Sequence, residues 1–326
     1  MCVNLGRSKS KKFMQSRRQM LKTCGAALMG MSLPFSGCTT SSSLRQKTSK
    51  KPFRIALNTS TISGYQLPVE QQIDLCAEAG YEGIELWVKD VRAFEQRGGT
   101  AEQLGERVKD AGLILENLIG FAPWMVDEDG MQAMKQEMEL CARLGSKHIA
   151  ATCFGRHTEP FSPGELPRFI ALYRELIDYG SQIGVRPLLE LWGHRMLNQL
   201  SDVMAIALGS GRSQASLLLD FYHLYRGNND YQSLSLINGA ALPVFHINDY
   251  PASIAREQLK DTDRIFPGDG ACPFREVLPI LYQAGFRGAL SLELFHEPYW
   301  QQYEVKELLR IGKEKVASVI DQLHYS

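Results

Sequence analysis

Beyond residue 40 the chain has no run of 18 uncharged apolar residues, which excludes a helical protein that crosses a membrane repeatedly. None of its seven cysteines stand in a Cys-x-x-Cys pair, so the sequence encodes neither a zinc ribbon nor a disulfide framework. No Gly-x-Gly-x-x-Gly string follows the first strand candidate and no P-loop occurs, which removes the common glycine-rich cradles for dinucleotides and nucleotides. Excess positive charge is missing as well. Residues 38–326 carry 29 basic against 36 acidic side chains, net −7, and offer no footprint for nucleic acid or an anionic lipid surface. What remains, at 44% hydrophobic and 22% charged, is ordinary globular composition.

The basic residues absent from the body gather at the start: Arg7, Lys9, Lys11, Lys12, Arg17, Arg18 and Lys22 precede a weakly apolar, glycine-containing stretch and face no acid before residue 38. The string Ser16-Arg17-Arg18-Gln19-Met20-Leu21-Lys22 resembles the twin-arginine export motif, with Met20 in place of the usual aromatic. Phe35-Ser36-Gly37-Cys38 resembles a lipobox, which implies cleavage before Cys38 and its lipidation. The Ser-, Thr- and Lys-rich residues that follow read as a flexible tether. The expected organisation is a signal peptide over 1–37, a tether over 38–52 and one domain over 53–326. Export would use the twin-arginine translocase and leave a lipoprotein in the periplasm or cell envelope. Cys76 and Cys141 fall on apolar helical stripes and read as buried thiols.

From residue 53 onward, short apolar β-branched runs alternate with longer segments of helical period. The strand candidates are Phe53–Asn58, Gly83–Trp87, Ile114–Ile119, His148–Cys153, Pro187–Leu191, Ser216–Asp220, Pro243–Ile247 and Ala289–Glu293. Helical patterns such as Val69–Ala79 and Met131–Leu144 lie between them, and Gly80, Gly112, Gly145, Gly184 and Gly285 stand where left-handed helix caps are needed. Eight βα units in about 270 residues match a single closed parallel (β/α)8 TIM barrel, an α/β fold. An open doubly wound sheet is the alternative, without the dinucleotide string it would want. Two segments exceed simple connections, Phe121–Gly130 and Asp249–Pro273; both follow strand C-terminal ends, where barrels build active sites.

Each of the last four strands ends in a polar residue after an apolar run: Glu190, Asp220, His246 and Glu293. Barrel strands are buried on both faces, so an ionisable group there costs several kcal/mol unless it is paired or bound to metal. Three carboxylates and an imidazole form a hard oxygen and nitrogen set suited to one divalent ion, Mn, Mg, Co or Zn.

These residues carry a family resemblance. From Phe53 to about Gln302 the chain resembles the xylose-isomerase-like barrels, a family of sugar isomerases and epimerases that also holds hydroxypyruvate isomerase and inosose dehydratase. The matching strings are Leu189-Glu190-Leu191-Trp192-Gly193, Leu219-Asp220-Phe221-Tyr222-His223, Phe245-His246-Ile247-Asn248-Asp249, Pro267-Gly268-Asp269-Gly270 and Leu292-Glu293-Leu294. The resemblance implies that Glu190, Asp220, His246 and Glu293 bind the metal, that Glu190 and Glu293 act as an acid and base pair, and that His223 contacts the sugar. Proton removal α to a carbonyl then gives an enediolate, which is reprotonated to epimerise or isomerise. With no phosphate cradle, an unphosphorylated ketose, keto-sugar or cyclitol is the expected substrate.

Further substrate contacts are expected from Arg264, His194 with Arg195, Trp124, His157 and Asp249, the last also as a partner for Arg264. Glu85 and Trp87 read equally as pocket lining or as packed residues, and His148, at a strand start, is set aside as a ligand. The competing readings are a metal-dependent dehydratase of a keto-cyclitol or keto-sugar, and a carbohydrate-binding lipoprotein without turnover. Apurinic endonucleases share the barrel but use more metal-binding histidines.

Overall fold

The computed structural model describes residues 52–156, 159–194 and 196–322. The export-like segment, Cys38 and nearly all of the tether lie outside those residues, as do Arg195 and His157. Eight parallel strands close into a barrel in chain order: β1 (Arg54–Asn58), β2 (Gly83–Trp87), β3 (Ile114–Ile119), β4 (His148–Ala151), β5 (Arg186–Glu190), β6 (Ser216–Asp220), β7 (Val244–Ile247) and β8 (Ala289–Leu292). The expected fold is therefore the observed one. Around it run α1 (Val69–Glu78), α2 (Val88–Gln96), α3 (Ala101–Asp110), α4 (Glu128–Leu144), α5 (Leu166–Ile183), α6 (Leu200–Gly209), α7 (Phe221–Arg226), α8 (Phe274–Gln283), α9 (Glu297–Gln302) and α10 (Val305–Asp321). No described helix is long and apolar enough to cross a membrane.

The strands form because their apolar side chains find cover on both faces. Ile119, Ala150, Leu188, Leu218 and Val244 fill the barrel interior as one cluster, while the other core residues meet the helices outside. Two ladders stop before their apolar runs do: β4 ends at Ala151 and β8 at Leu292, so Glu293 stands just past the last paired residue. The β2–β3 register steps from Ile84↔Leu115 to Glu85↔Asn117, and Glu116 is the extra residue of a bulge. That bulge sets Asn117 beside Glu85 and leaves Glu116 to hold Arg54 by two hydrogen bonds of 2.8 and 2.9 Å.

Gly145 and Gly184 cap α4 and α5 at φ of 84° and 75°, and Gly80, Gly112 and Gly285 also take positive φ, as their positions predict. No disulfide joins Cys76, Cys141, Cys153 or Cys272. Burial pushes the thiols of Cys76 and Cys141 above their ordinary range.

Tyr173 of α5 ties two of the strands that matter for the site. Its hydroxyl accepts from the Ser216 amide (3.1 Å) and lies 2.9 and 2.7 Å from the Pro187 and Ser216 carbonyls, at the starts of β5 and β6. Tyr173→Phe strands these buried groups and is expected to lower unfolding stability by about 1–3 kcal/mol in a denaturant titration; an unchanged midpoint would show the link is dispensable.

Candidate active site

Polar side chains at the C-terminal strand ends border a cavity of about 310 Å³. Asp220 does two jobs. As the last residue of β6 it is also the N-cap of α7, its Oδ1 accepting from the His223 amide (2.9 Å), which fixes His223 three residues on in the first helical turn. Its Oδ2 accepts from Asn248 Nδ2 (2.8 Å) and Arg264 Nη1 (3.0 Å). His246, fully buried in β7, sits between carboxylates: Nε2 lies 3.1 Å from Glu85 Oε1, and Nδ1 lies 3.0 Å from Glu293 Oε2 and 3.8 Å from Asp220 Oδ2. Ligand atoms of Asp220, His246 and Glu293 come within 4.8 Å of one another. Glu190, expected as a fourth ligand, stands outside that trio but lines the same cavity.

These contacts separate the two glutamates electrostatically. Burial pushes the Glu190 carboxyl up to about 8, with His246 opposing and Glu293 and Asp220 reinforcing the rise. Burial acts on Glu293 in the same sense, but His246 and Arg264 outweigh it and hold that carboxyl down at about 2. The two carboxyls are pushed in opposite directions, Glu190 toward keeping a proton and Glu293 toward losing one, the arrangement that assigns an acid and a base to two like groups. Burial disfavours a charged imidazole at His246, yet Glu293 and Glu85 together hold its pKa well above the ordinary value.

The donor set fits a divalent ion. Donor atoms held about 2.1 Å from such an ion stand about 3.0 to 3.4 Å apart, close to the 3.0 and 3.8 Å seen around His246 Nδ1. That nitrogen is buried and makes no hydrogen bond of regular geometry, as an atom kept for a metal would be. Its ring is steadied from behind by Glu85, which accepts from Asn117 Nδ2 at 2.9 Å.

The segment after β7 supplies one wall. Asp261, Thr262 and Arg264 line the cavity, and Arg264 is 1% exposed. Its Nη1 bonds Asp220 and Glu293, its Nη2 reaches Asp261 Oδ1 (2.7 Å) and His223 Nε2 (3.1 Å), and Tyr222 and Phe295 lie 4.6 and 5.2 Å from its guanidinium. His223 and His194 line the cavity too, with His194 Nε2 3.3 Å from Asp261 Oδ2. His194, His223 and Asp261 form a second close group, into which Arg264 already brings a positive charge.

Two expected contacts do not reach the cavity. Trp124 is fully buried, donating to the Thr152 carbonyl (2.7 Å) and lying 6.3 Å from Tyr173, so it is a packing residue rather than a sugar platform. Asp249 does not pair with Arg264. Its oxygens accept from the amides of Tyr250, Gly268, Gly270 and Cys272 at 2.8 to 3.0 Å, and it holds the wall segment in shape. His148, set aside from sequence, meets the Glu116 carbonyl at the start of β4.

Other residues at the site escaped the sequence reading. Asn58 ends β1 as Glu190 ends β5, and its Nδ2 donates to Glu293 Oε1 (3.0 Å) while its Oδ1 accepts from Trp87 Nε1 (2.9 Å). The same signal, a polar residue closing an apolar run, was available there. Phe121, Trp192 and Phe295 line the cavity with Trp87, and nothing in their spacing distinguishes them from core aromatics.

Residues 73–315 match the family described as xylose isomerase-like TIM barrel. The inosose isomerase of Bacillus velezensis is 26% identical over 266 residues, 78% of this chain and 92% of that protein. The 3-dehydroshikimate dehydratase of Pseudomonas aeruginosa is 23% identical over 70% of this chain, which spans only 36% of that longer protein. Among solved structures, the IolI protein with a bound zinc atom superposes with a TM-score of 0.77 at 22% identity, covering 84% of this chain and all of that one. L-ribulose 3-epimerase gives 0.65 at 17% identity, over 82% of this chain and 95% of that one. The chain belongs to the xylose isomerase-like TIM barrel family.

Proposed function

We propose that the protein is a divalent-metal-dependent isomerase or epimerase that moves a proton α to the carbonyl of an unphosphorylated keto-cyclitol or keto-sugar. The observation that carries this reading is the convergence of donor atoms from Asp220, His246 and Glu293 beside a cavity that Glu190 and Glu293 both line, with the surroundings pushing those two carboxyls in opposite directions. Inosose isomerases among the relatives, and zinc in the IolI structure, support it.

Asp220, His246 and Glu293 would hold the ion, with Glu190 at the open side. When bound, it supplies Lewis-acid stabilisation of the negative charge that develops on the substrate oxygen. The ionised Glu293 takes the α-proton, and the protonated Glu190 delivers one to the enediolate. Delivery on the opposite face inverts the centre; delivery to the former carbonyl carbon moves the carbonyl to its neighbour. His223 and Arg264 orient substrate hydroxyls. Among the described lining residues Arg264 is the one Lys or Arg, and three carboxylates already engage it, so nothing there offers spare charge to a phosphate.

Dehydration is the second reading, favoured by the 3-dehydroshikimate dehydratase relatives: the same deprotonated species expels a β-hydroxyl instead of regaining a proton. Product mass separates the two, since isomers keep the substrate's mass and dehydration loses water. The N-terminal strings lead us to propose, in addition, export by the twin-arginine route and anchoring through lipid on Cys38.

Mass spectrometry of purified protein is expected to find about one Mn, Co, Zn or Mg per chain, lost in Asp220→Asn; metal-free wild type after soaking would leave the carbohydrate-binding reading in its place. Glu293→Gln should still fold, with lowered stability, and lose at least about 100-fold in solvent deuterium uptake by substrate; near wild-type exchange would remove the acid and base assignment. In cells the protein should fractionate with membranes and be released by Cys38→Ala, whereas a soluble wild type would refute lipidation.

A further inference from the structure

The cavity has two unlike sides. Charged groups come from the ends of β5 through β8, while Phe295, Trp87, Ile119 and Phe121 come from the arc β8, β2 and β3. Ring centroids run Phe295 to Trp87 (6.2 Å), Trp87 to Phe121 (5.3 Å) and Phe121 to Trp192 (6.1 Å). Both neighbours meet Trp87 at steep angles, 53° and 71°, rather than stacking flat on it. Lys89 lies over the indole at 5.0 Å from its centroid, and Trp87 also lines the cavity, where Lys89 does not.

The indole plane is pinned with respect to the reacting carboxylate. Trp87 Nε1 donates to Asn58 Oδ1, which also accepts from the Ser60 amide (3.0 Å), and Asn58 Nδ2 donates to Glu293 Oε1. One fully buried amide therefore links the aromatic surface to Glu293.

We infer that this cavity selects a closed six-membered polyol ring over an open chain, with Trp87 as the platform for the ring's C–H face. The inference rests on the proton-transfer reading of the same site and narrows its substrate. A six-membered ring with equatorial hydroxyls keeps its polar groups at the rim and shows axial C–H bonds on both faces. Laid on Trp87, it turns its carbonyl edge to Glu190 and Glu293 while its face meets aromatic carbon. An extended polyol turns hydroxyls to every side, and those set against the aromatic arc lose water without gaining a partner.

Myo-inositol and sorbitol test this directly, since each has six carbons and six hydroxyls and they differ in ring closure. Calorimetric titration of the metal-loaded protein is expected to give about tenfold tighter binding of myo-inositol, the scale of one aromatic contact. Trp87→Leu should remove most of that preference with sorbitol affinity and metal content unchanged, and Trp87→Tyr, which keeps an aromatic face, should retain most of it. Equal or tighter binding of sorbitol, binding of neither polyol, or an undiminished preference in Trp87→Leu would overturn the inference. Solvent deuterium uptake keeps the two readings apart. Uptake by ribulose and not by inosose would overturn ring selection and leave proton transfer standing; uptake by no ketone alongside a retained, Trp87-dependent inositol preference would overturn proton transfer alone.

Discussion

Buried charge has to be balanced, and at the carboxyl ends of the strands the Arg264 guanidinium and the His246 imidazole meet an excess of carboxylates, Glu85, Asp220, Glu293 and Asp261. Such a network adds little net stability over an apolar filling of the same volume, but removing one partner leaves an uncompensated charge and costs about 3–5 kcal/mol. Its presence therefore points to chemistry rather than to stability. The network also makes Glu190 and Glu293 different. Glu293 touches Arg264 and His246, which hold its carboxyl down, whereas Glu190 pairs with neither and is pushed up by burial.

The barrel was legible because its signal is redundant. Eight apolar runs, each buried on both faces, alternate with helices whose glycine caps take the left-handed conformation. Where strands stop was less legible, because a strand can end while side chains stay buried: Glu293 lies one residue past β8, yet its amide still donates to the Ile247 carbonyl of β7 (3.2 Å). The bulge at Glu116 leaves no trace in hydrophobic pattern at all.

The site was legible in its carboxylates and less so in what holds them. Asp220 announces itself as a charge closing an apolar run; that it also caps α7 follows from Asp-x-x-His, where the His amide falls at capping distance. Asn58 and Asn248 give the same strand-end signal in weaker form, since an amide buried there need not imply a metal. Tryptophans were the least readable. Trp87 ends a strand and Trp124 follows one, yet the first lines the cavity and the second sits in the core, a difference decided by tertiary packing of the segment after β3.

The four amide bonds to Asp249 set how the cavity can behave in time. They fasten the turn at Gly268 and Gly270 to the end of β7, and an antiparallel bridge between Asp249 and Ile265 fastens the stretch that carries Arg264. A wall stitched at both of these points does not swing as a unit without breaking buried hydrogen bonds. The position of the Arg264 guanidinium is then set by the fold, next to the fastened Ile265, before any ligand arrives.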